Sequence, residues 1–235
     1  MAKQEYKHFN PRMIIVEFFC GNKSLSKVAQ KEGYECFTID IDKKFNPDLC
    51  IDILNFKTEM LPKEFREIDL LWFSPLCTKY SHANRKGKWD LTYSNSLVLK
   101  SLELIKELKP KYWIIENPQT GTLKNQSFMK GIPFTDCSFC KYGMSYRKQT
   151  RLWNNANLKL ETCNKDCMFM GGKKHINSVG NGRKEYAKFQ RYSWDTKLKY
   201  HIPEKLILSI LKQLNTEAVG IPPKPKGLDI LPNFI

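Results

Sequence analysis

Apolar and polar positions alternate in blocks along the first half of the chain. Met13 to Phe19 is an apolar run of strand length, and a short loop, Cys20 to Lys23, follows it. Ser24 is placed to cap a helix that runs to about Glu32, where Gly33 ends it. Cys36 to Ile41 reads as a second strand, Leu49 to Leu54 as a third short element, and Ile68 to Phe73 as a fourth strand. A hydrophilic stretch from His82 to Asp90 comes next. Ser94 or Ser96 then opens a helix to Leu108 with Leu97, Leu102, Ile105 and Leu108 in its apolar set. Pro110 punctuates, and Tyr112 to Ile115 is a fifth strand. This strand–helix–strand alternation predicts a mostly parallel sheet with helices on both faces.

Beyond Asn117 the pattern weakens. Short strands are expected at Phe134 to Cys140 and Arg151 to Asn154, and a helix at Pro203 to Leu214. The segment from Leu160 to Trp194 is too polar to own a core. The expected organisation is an α/β core over residues 1–135, a small Cys/His-rich module over 136–200 that includes a basic stretch, and a C-terminal helix and tail over 201–235 that pack back on the core.

Charge adds a partner to this picture. Thirty-nine Lys and Arg against 24 Asp and Glu leave a formal net charge of +15. A field of that sign attracts polyanions, nucleic acid first among them. A Lys-rich solvated surface is the bland alternative. The basic residues cluster, however, and aromatic residues interleave with them. Lys79, Ser81, Arg85, Lys86, Lys88, Arg147, Lys148, Lys173, Lys174 and Arg183 are the candidate nucleic-acid contacts. No apolar run is long enough to span a bilayer, and the polar first twelve residues carry no signal-peptide core, so an intracellular, membrane-free and monomeric protein is expected.

Candidate chemistry gathers at the strand exits. Cys77 follows the fourth strand in Phe73-Ser74-Pro75-Leu76-Cys77, and Glu116-Asn117 ends the fifth. A thiolate can add to an electron-poor ring while a carboxyl group handles the proton. The first loop, Phe18-Phe19-Cys20-Gly21-Asn22-Lys23-Ser24, has the strand–turn–helix form of a nucleotide-type cofactor cradle. Asp40 at the end of the second strand is placed for ribose hydroxyls. Asp52-Ile53 is placed for an adenine ring.

Four late cysteines form two knuckles, Cys137-x2-Cys140 and Cys163-x3-Cys167, with His175 eight residues beyond. This is the spacing of a structural Zn2+ site, with buried free thiols or an incidental cysteine-rich stretch as the alternatives. Five candidates compete for four places: Cys140, Cys163, Cys167 and His175 are the first choice, and Cys137 can substitute for His175.

In order, Phe19-x-Gly21, Asp40, Asp52-Ile53, Pro75-Leu76-Cys77-x-x-x-Ser81, Glu116-Asn117 and Tyr142-Gly143 with a basic cluster through Arg151 resemble the motif series of the cytosine-5 DNA methyltransferases, especially the short phage and viral type. The resemblance covers roughly residues 13 to 155. It implies a Rossmann-like S-adenosylmethionine-dependent fold and double-stranded DNA as partner. It implies Cys77 as the nucleophile on carbon 6 of a flipped cytosine, Glu116 at ring nitrogen 3, and Arg151 touching the base or supporting Glu116. Phe18 or Phe19, Gly21, Asp40, Ile41, Asp52, Ile53 and Pro75 would line the cofactor site. Leu76 stands where the family usually has Pro, and the glycine-rich first motif is reduced to Gly21. These departures keep two other readings in play: an inactive nucleic-acid-binding protein on the same fold, and an RNA or nucleotide cytosine methyltransferase.

Overall fold

The computed structural model describes residues 13–81, 90–175 and 200–217. Seven strands form one sheet in the order β3-β2-β1-β4-β5-β7-β6: β1 (Ile14–Phe18), β2 (Glu35–Asp40), β3 (Leu49–Cys50), β4 (Leu70–Phe73), β5 (Tyr112–Pro118), β6 (Phe134–Ser138) and β7 (Gln149–Asn154). The first five are parallel, and β7 and β6 are added antiparallel beyond β5. A separate hairpin joins β8 (Met170–Gly171) to β9 (Lys174–His175). The helices are α1 (Ser24–Lys31), α2 (Thr92–Leu108) and α3 (Glu204–Glu217).

Strand pleating sorts the core into two layers. Val16, Phe18, Leu71, Phe73, Trp113, Ile115 and Trp153 face α2, which answers with Leu97, Val98, Leu102 and Ile105. Ile15, Leu70, Trp72, Ile114 and Leu152 face α1 and α3, which answer with Leu25, Val28, Leu206, Ile210 and Leu211. Trp72, Trp113 and Trp153 are each at most 2% exposed. Burying one such ring is worth on the order of 5 kcal/mol of transfer free energy, so these three anchor β4, β5 and β7.

The expected elements are present, and three details differ. Ser24 does not cap α1. The capping position is Lys23, in the left-handed region at φ 56°. The Ser24 hydroxyl instead lies 3.2 Å from His201 Nδ1 and accepts the Ile202 N–H, tying the first loop to the start of α3. Phe19, Gly21 and Lys23 all have positive φ, so the loop makes three left-handed turns with one glycine. Each non-glycine residue there costs roughly 1 kcal/mol or more. Finally, β6 and β7 belong to the main sheet, so the expected boundary at 135/136 falls inside β6 and the basic stretch precedes a core strand.

Glu17 is a carboxyl inside this core. It accepts hydrogen bonds from the Ser26 N–H at 3.1 Å and from the Ser26 hydroxyl. Burial outweighs those bonds and pushes its pKa up to about 7. A carboxyl raised in the folded state is stabilising when protonated, so this contribution is intact below the unfolded value and is lost as pH rises toward 7. Glu17→Gln is therefore expected to raise Tm by several degrees at pH 8 and by much less at pH 5. Thermal melts at the two pH values check this, and an equal shift at both would contradict it.

Candidate active site

Parallel pairing sets the two strand exits side by side. Phe73 on β4 is in register with Ile115 on β5. Glu116 is therefore one residue past the last pair, and Cys77 lies in the turn that leaves β4. The turn is clamped. The Asn117 side-chain amide donates to the Pro75 carbonyl at 3.0 Å. The Tyr80 N–H donates to the Cys77 carbonyl, and the Thr122 N–H donates to the Tyr80 carbonyl. The Tyr80 ring is buried, with its hydroxyl donating to Asn95 on α2 at 2.8 Å. Gly121 packs where a Cβ would lie 3.2 Å from the Pro118 carbonyl and 3.3 Å from that of Tyr80. Cys77 itself is half-buried and Leu76 beside it is exposed.

Glu116 is 8% exposed, and its Oε1 makes no hydrogen bond among the described residues. Asn117 Oδ1, Thr150 Oγ1 and Arg147 Nε are likewise buried without hydrogen-bond partners there. In register, Asn117 faces Arg151 and Pro118 faces Thr150 across the β5–β7 pair. Buried polar atoms are almost always satisfied. Glu116, Asn117, Thr150 and Arg147 thus bring polar atoms together at the end of β5 and the start of β7.

The charge at this pocket is not where the sequence motif put it. Arg151 gives two hydrogen bonds to Asp136, at 2.7 and 2.8 Å, and its guanidinium lies 3.5 Å from the centre of the Phe134 ring. The cation at Glu116 is Lys148, with Nζ 3.5 Å from Oε1 and a side chain 13% exposed. Lys148, expected among the phosphate contacts, thus points inward. The Arg151–Asp136 pairing follows from the antiparallel register of β6 on β7, which places the two residues opposite each other. Burial raises the Cys77 thiol above its ordinary range, Glu116 raises it further, and Lys148 opposes them.

The residues expected to line a cofactor site are, apart from Pro75, at the carboxyl ends of β1, β2 and β3 or just beyond them. Asp40 accepts the Gly21 N–H and the Asp42 N–H, one on each oxygen, both at 2.9 Å, so it holds the loop as well as the crevice. Asp52 accepts the Leu54 N–H and bonds the Tyr93 hydroxyl. Phe18 and Ile53 are in the core, Phe18 between Phe73 and Phe56, so their side chains are not crevice walls, and Pro75 is also buried. Phe19 and Gly21 are half-buried, and Ile41 is 60% exposed. A Cβ on Gly21 would find its nearest neighbour, the Phe19 carbonyl, 4.0 Å away. A tight loop, a carboxylate at each of two strand ends and an exposed apolar side chain suit an adenosyl group.

The second cluster is compact. The ligand atoms of Cys140, Cys163, Cys167 and His175 lie within 4.8 Å of one another. His175 Nε2 is 3.3 Å from Cys163 Sγ and 3.2 Å from Cys167 Sγ. Tetrahedral zinc with usual bond lengths sets sulfur–nitrogen edges of about 3.6 Å, so the spacing suits a closed four-ligand site. Cys137 is outside it. That thiol is packed in the core against the α1–α3 layer, and burial pushes it up to about 12.

Among the nucleic-acid candidates, Lys79, Ser81, Lys173 and Lys174 are exposed and Arg147 is half-buried. Arg85, Lys86, Lys88 and Arg183 lie outside the described residues. No described helix is long and apolar enough to cross a membrane.

Residues 13–131 match the family described as C-5 cytosine-specific DNA methylase. A Frog virus 3 (isolate Goorha) protein named "Probable DNA (cytosine-5)-methyltransferase" is 31% identical over 228 residues, covering 85% of this chain and 99% of that protein. Two solved structures are also similar. One is a candidate DNA modification methyltransferase encoded within an E. coli prophage, with TM-score 0.47 and 18% identity over 60% of this chain and 46% of that one. The other is S. pombe Dnmt2, with TM-score 0.44 and 18% identity over 66% of this chain and 54% of that one. The chain spans about half the length of these two structures.

Because Glu116 raises the Cys77 thiol, Glu116→Gln is expected to lower the pH midpoint for alkylation of Cys77. Iodoacetamide labelling across pH 7–10, read at the Cys77 peptide by mass spectrometry, checks this. An unchanged or higher midpoint would show that the two groups do not share a field.

Proposed function

We propose that this chain, which belongs to the C-5 cytosine-specific DNA methylase family, methylates carbon 5 of a cytosine swung out of DNA, with Cys77 as nucleophile and Glu116 as the acid at ring nitrogen 3. The observation that carries the roles is the parallel register of β4 and β5, which sets Cys77 and Glu116 at adjoining strand exits with the Cys77 turn fastened to β5 by Asn117.

The Cys77 thiolate forms a carbon–sulfur bond at carbon 6. The displaced electron pair moves into the ring, and Glu116 offsets the charge by giving a proton to nitrogen 3. S-Adenosylmethionine, when bound, supplies the electrophilic methyl group that the electron-rich carbon 5 takes. A base then removes the carbon 5 proton, the carbon–sulfur bond breaks with its electron pair returning to Cys77, and nitrogen 3 gives its proton back to Glu116. Phe19, Gly21, Asp40, Ile41 and Asp52 hold the methyl donor in this reading. Asn117 holds the Cys77 turn through Pro75. Lys79, Ser81, Lys173 and Lys174 follow the phosphates of duplex DNA.

The Cys140, Cys163, Cys167 and His175 node holds Zn2+ with all four positions filled by protein, a structural role for a segment that has no apolar core.

Labelled methyl transfer tests the assignment. Wild type is expected to label duplex DNA in preference to single-stranded DNA, RNA or dCMP, with Cys77→Ser and Glu116→Gln each at least 100-fold slower. Incorporation surviving Cys77→Ser would overturn the nucleophile, and preference for RNA or dCMP would overturn the substrate. One equivalent of zinc is expected by elemental analysis, falling in Cys167→Ser.

A further inference from the structure

The metal node and the base pocket touch through one turn. Cys140 sits in the 3-10 turn Phe139–Tyr142, directly after β6. Residues on both sides of it are tied to the segment that ends at Cys163. The Ser138 hydroxyl accepts the Cys163 N–H at 3.0 Å, the Ser138 N–H donates to the Glu161 carbonyl at 3.0 Å, and the Tyr142 hydroxyl accepts the Glu161 N–H at 2.8 Å. Phe139, next to Cys140, is fully buried, and its N–H donates to the Lys148 carbonyl at 3.0 Å. Lys148 Nζ lies 4.6 Å from the centre of the Phe139 ring and 3.5 Å from Glu116 Oε1. The path from the node to the catalytic carboxyl thus runs along the backbone from Cys140 to Phe139, and then through the side chains of Phe139, Lys148 and Glu116.

We infer that the Cys140–Cys163–Cys167–His175 node is an active-site support, and that Lys148 is the positioning residue through which metal occupancy reaches Glu116 and Cys77. The inference rests on the reading of the node as a metal site and of Glu116 as the acid. Its physical content is electrostatic. A thiolate and a carboxylate in one poorly hydrated pocket repel, and a cation held between them offsets the repulsion. Glu116 on β5 and Lys148 before β7 are the two charged groups that act on Cys77, with opposite signs. An ammonium on a four-carbon stem wanders unless something pins it, and the Phe139 face does so. Losing the metal frees the turn that carries Phe139. The expected consequence is a loss of chemistry at the base rather than of DNA affinity alone.

The test uses the full chain as purified with its metal, comparing wild type, Lys148→Met, Lys148→Arg, Cys167→Ser, the Lys148→Met/Cys167→Ser double variant and His175→Cys. Four quantities are read: bound zinc, Tm, the pH midpoint of Cys77 alkylation, and kcat and KM on duplex DNA. Lys148→Met is expected to keep its zinc, raise the alkylation midpoint and lower kcat at least tenfold with less than threefold change in KM. Lys148→Arg restores most of both. Cys167→Ser loses zinc and moves the midpoint and kcat in the same direction, and the double variant is no worse than the worse single one, because both act through one contact. His175→Cys, which offers four thiolates, keeps zinc and the wild-type midpoint. Should Cys167→Ser melt below the assay temperature, wild type stripped by a chelator takes its place.

Zinc loss that leaves the midpoint and kcat unchanged, or that raises only KM, would overturn the inference, as would additive effects in the double variant. A wild type without zinc overturns it together with the metal reading, while leaving Cys77 and Glu116 as assigned. A wild type that binds zinc but transfers no methyl group to any cytosine substrate overturns the function proposed above. The alkylation readout then still decides the link from the node to Lys148.

Discussion

The pairing of β4 with β5 is the constraint from which the site follows. Parallel neighbours run about 4.8 Å apart and end at the same edge of the sheet. With Phe73 in register with Ile115, a group one residue beyond β5 and a group in the turn beyond β4 have to share one crevice. Trp72, Trp113 and the layers on α2 and α3 fix that register, because a slip by one residue would turn every core side chain outward. Asn117 then fastens the β4 turn to β5 by its bond to the Pro75 carbonyl. The fold spends its largest buried surfaces on holding two strand ends in place.

Those strand ends concentrate charge where water is scarce. Burial and Glu116 both work against ionisation of Cys77, and Lys148 works for it. The resting thiol is therefore poorly ionised, and its reactivity depends on the balance between one carboxyl and one ammonium. As Glu116 gives its proton to ring nitrogen 3 and becomes a carboxylate, the thiolate's own charge passes into the ring with the new carbon–sulfur bond, so the two negative charges do not face each other. Binding the correct base and activating the nucleophile are in this account a single event.

Much of this was legible in the chain. The parallel sheet, the strand exits and the Cys77–Glu116 pair follow from apolar runs punctuated by Pro and Gly, because such runs report local burial. Which of the five candidate ligands come together is visible only in the fold: Cys137 sits inside β6 with its side chain in the core, while Cys140, three residues on, has left the strand. Pairing partners were not legible. Arg151 meets Asp136, and Lys148 meets Glu116, because of how β6, β7 and β5 are registered. Both short strands were expected, but nothing local to them states their alignment. Ser24 was misplaced for a similar reason. Its partner, His201, is 177 residues away.

Covalent capture tests directly whether Cys77 bonds to carbon 6 of the base. A duplex carrying 5-fluorocytosine blocks removal of the group at carbon 5, so the carbon–sulfur bond cannot break. The enzyme incubated with that duplex and S-adenosylmethionine is expected to form a denaturation-resistant complex whose DNA-bearing peptide contains Cys77, and Cys77→Ser is expected to form none. A complex mapped to another cysteine, or wild-type turnover of ordinary cytosine with no captured species, would contradict the account.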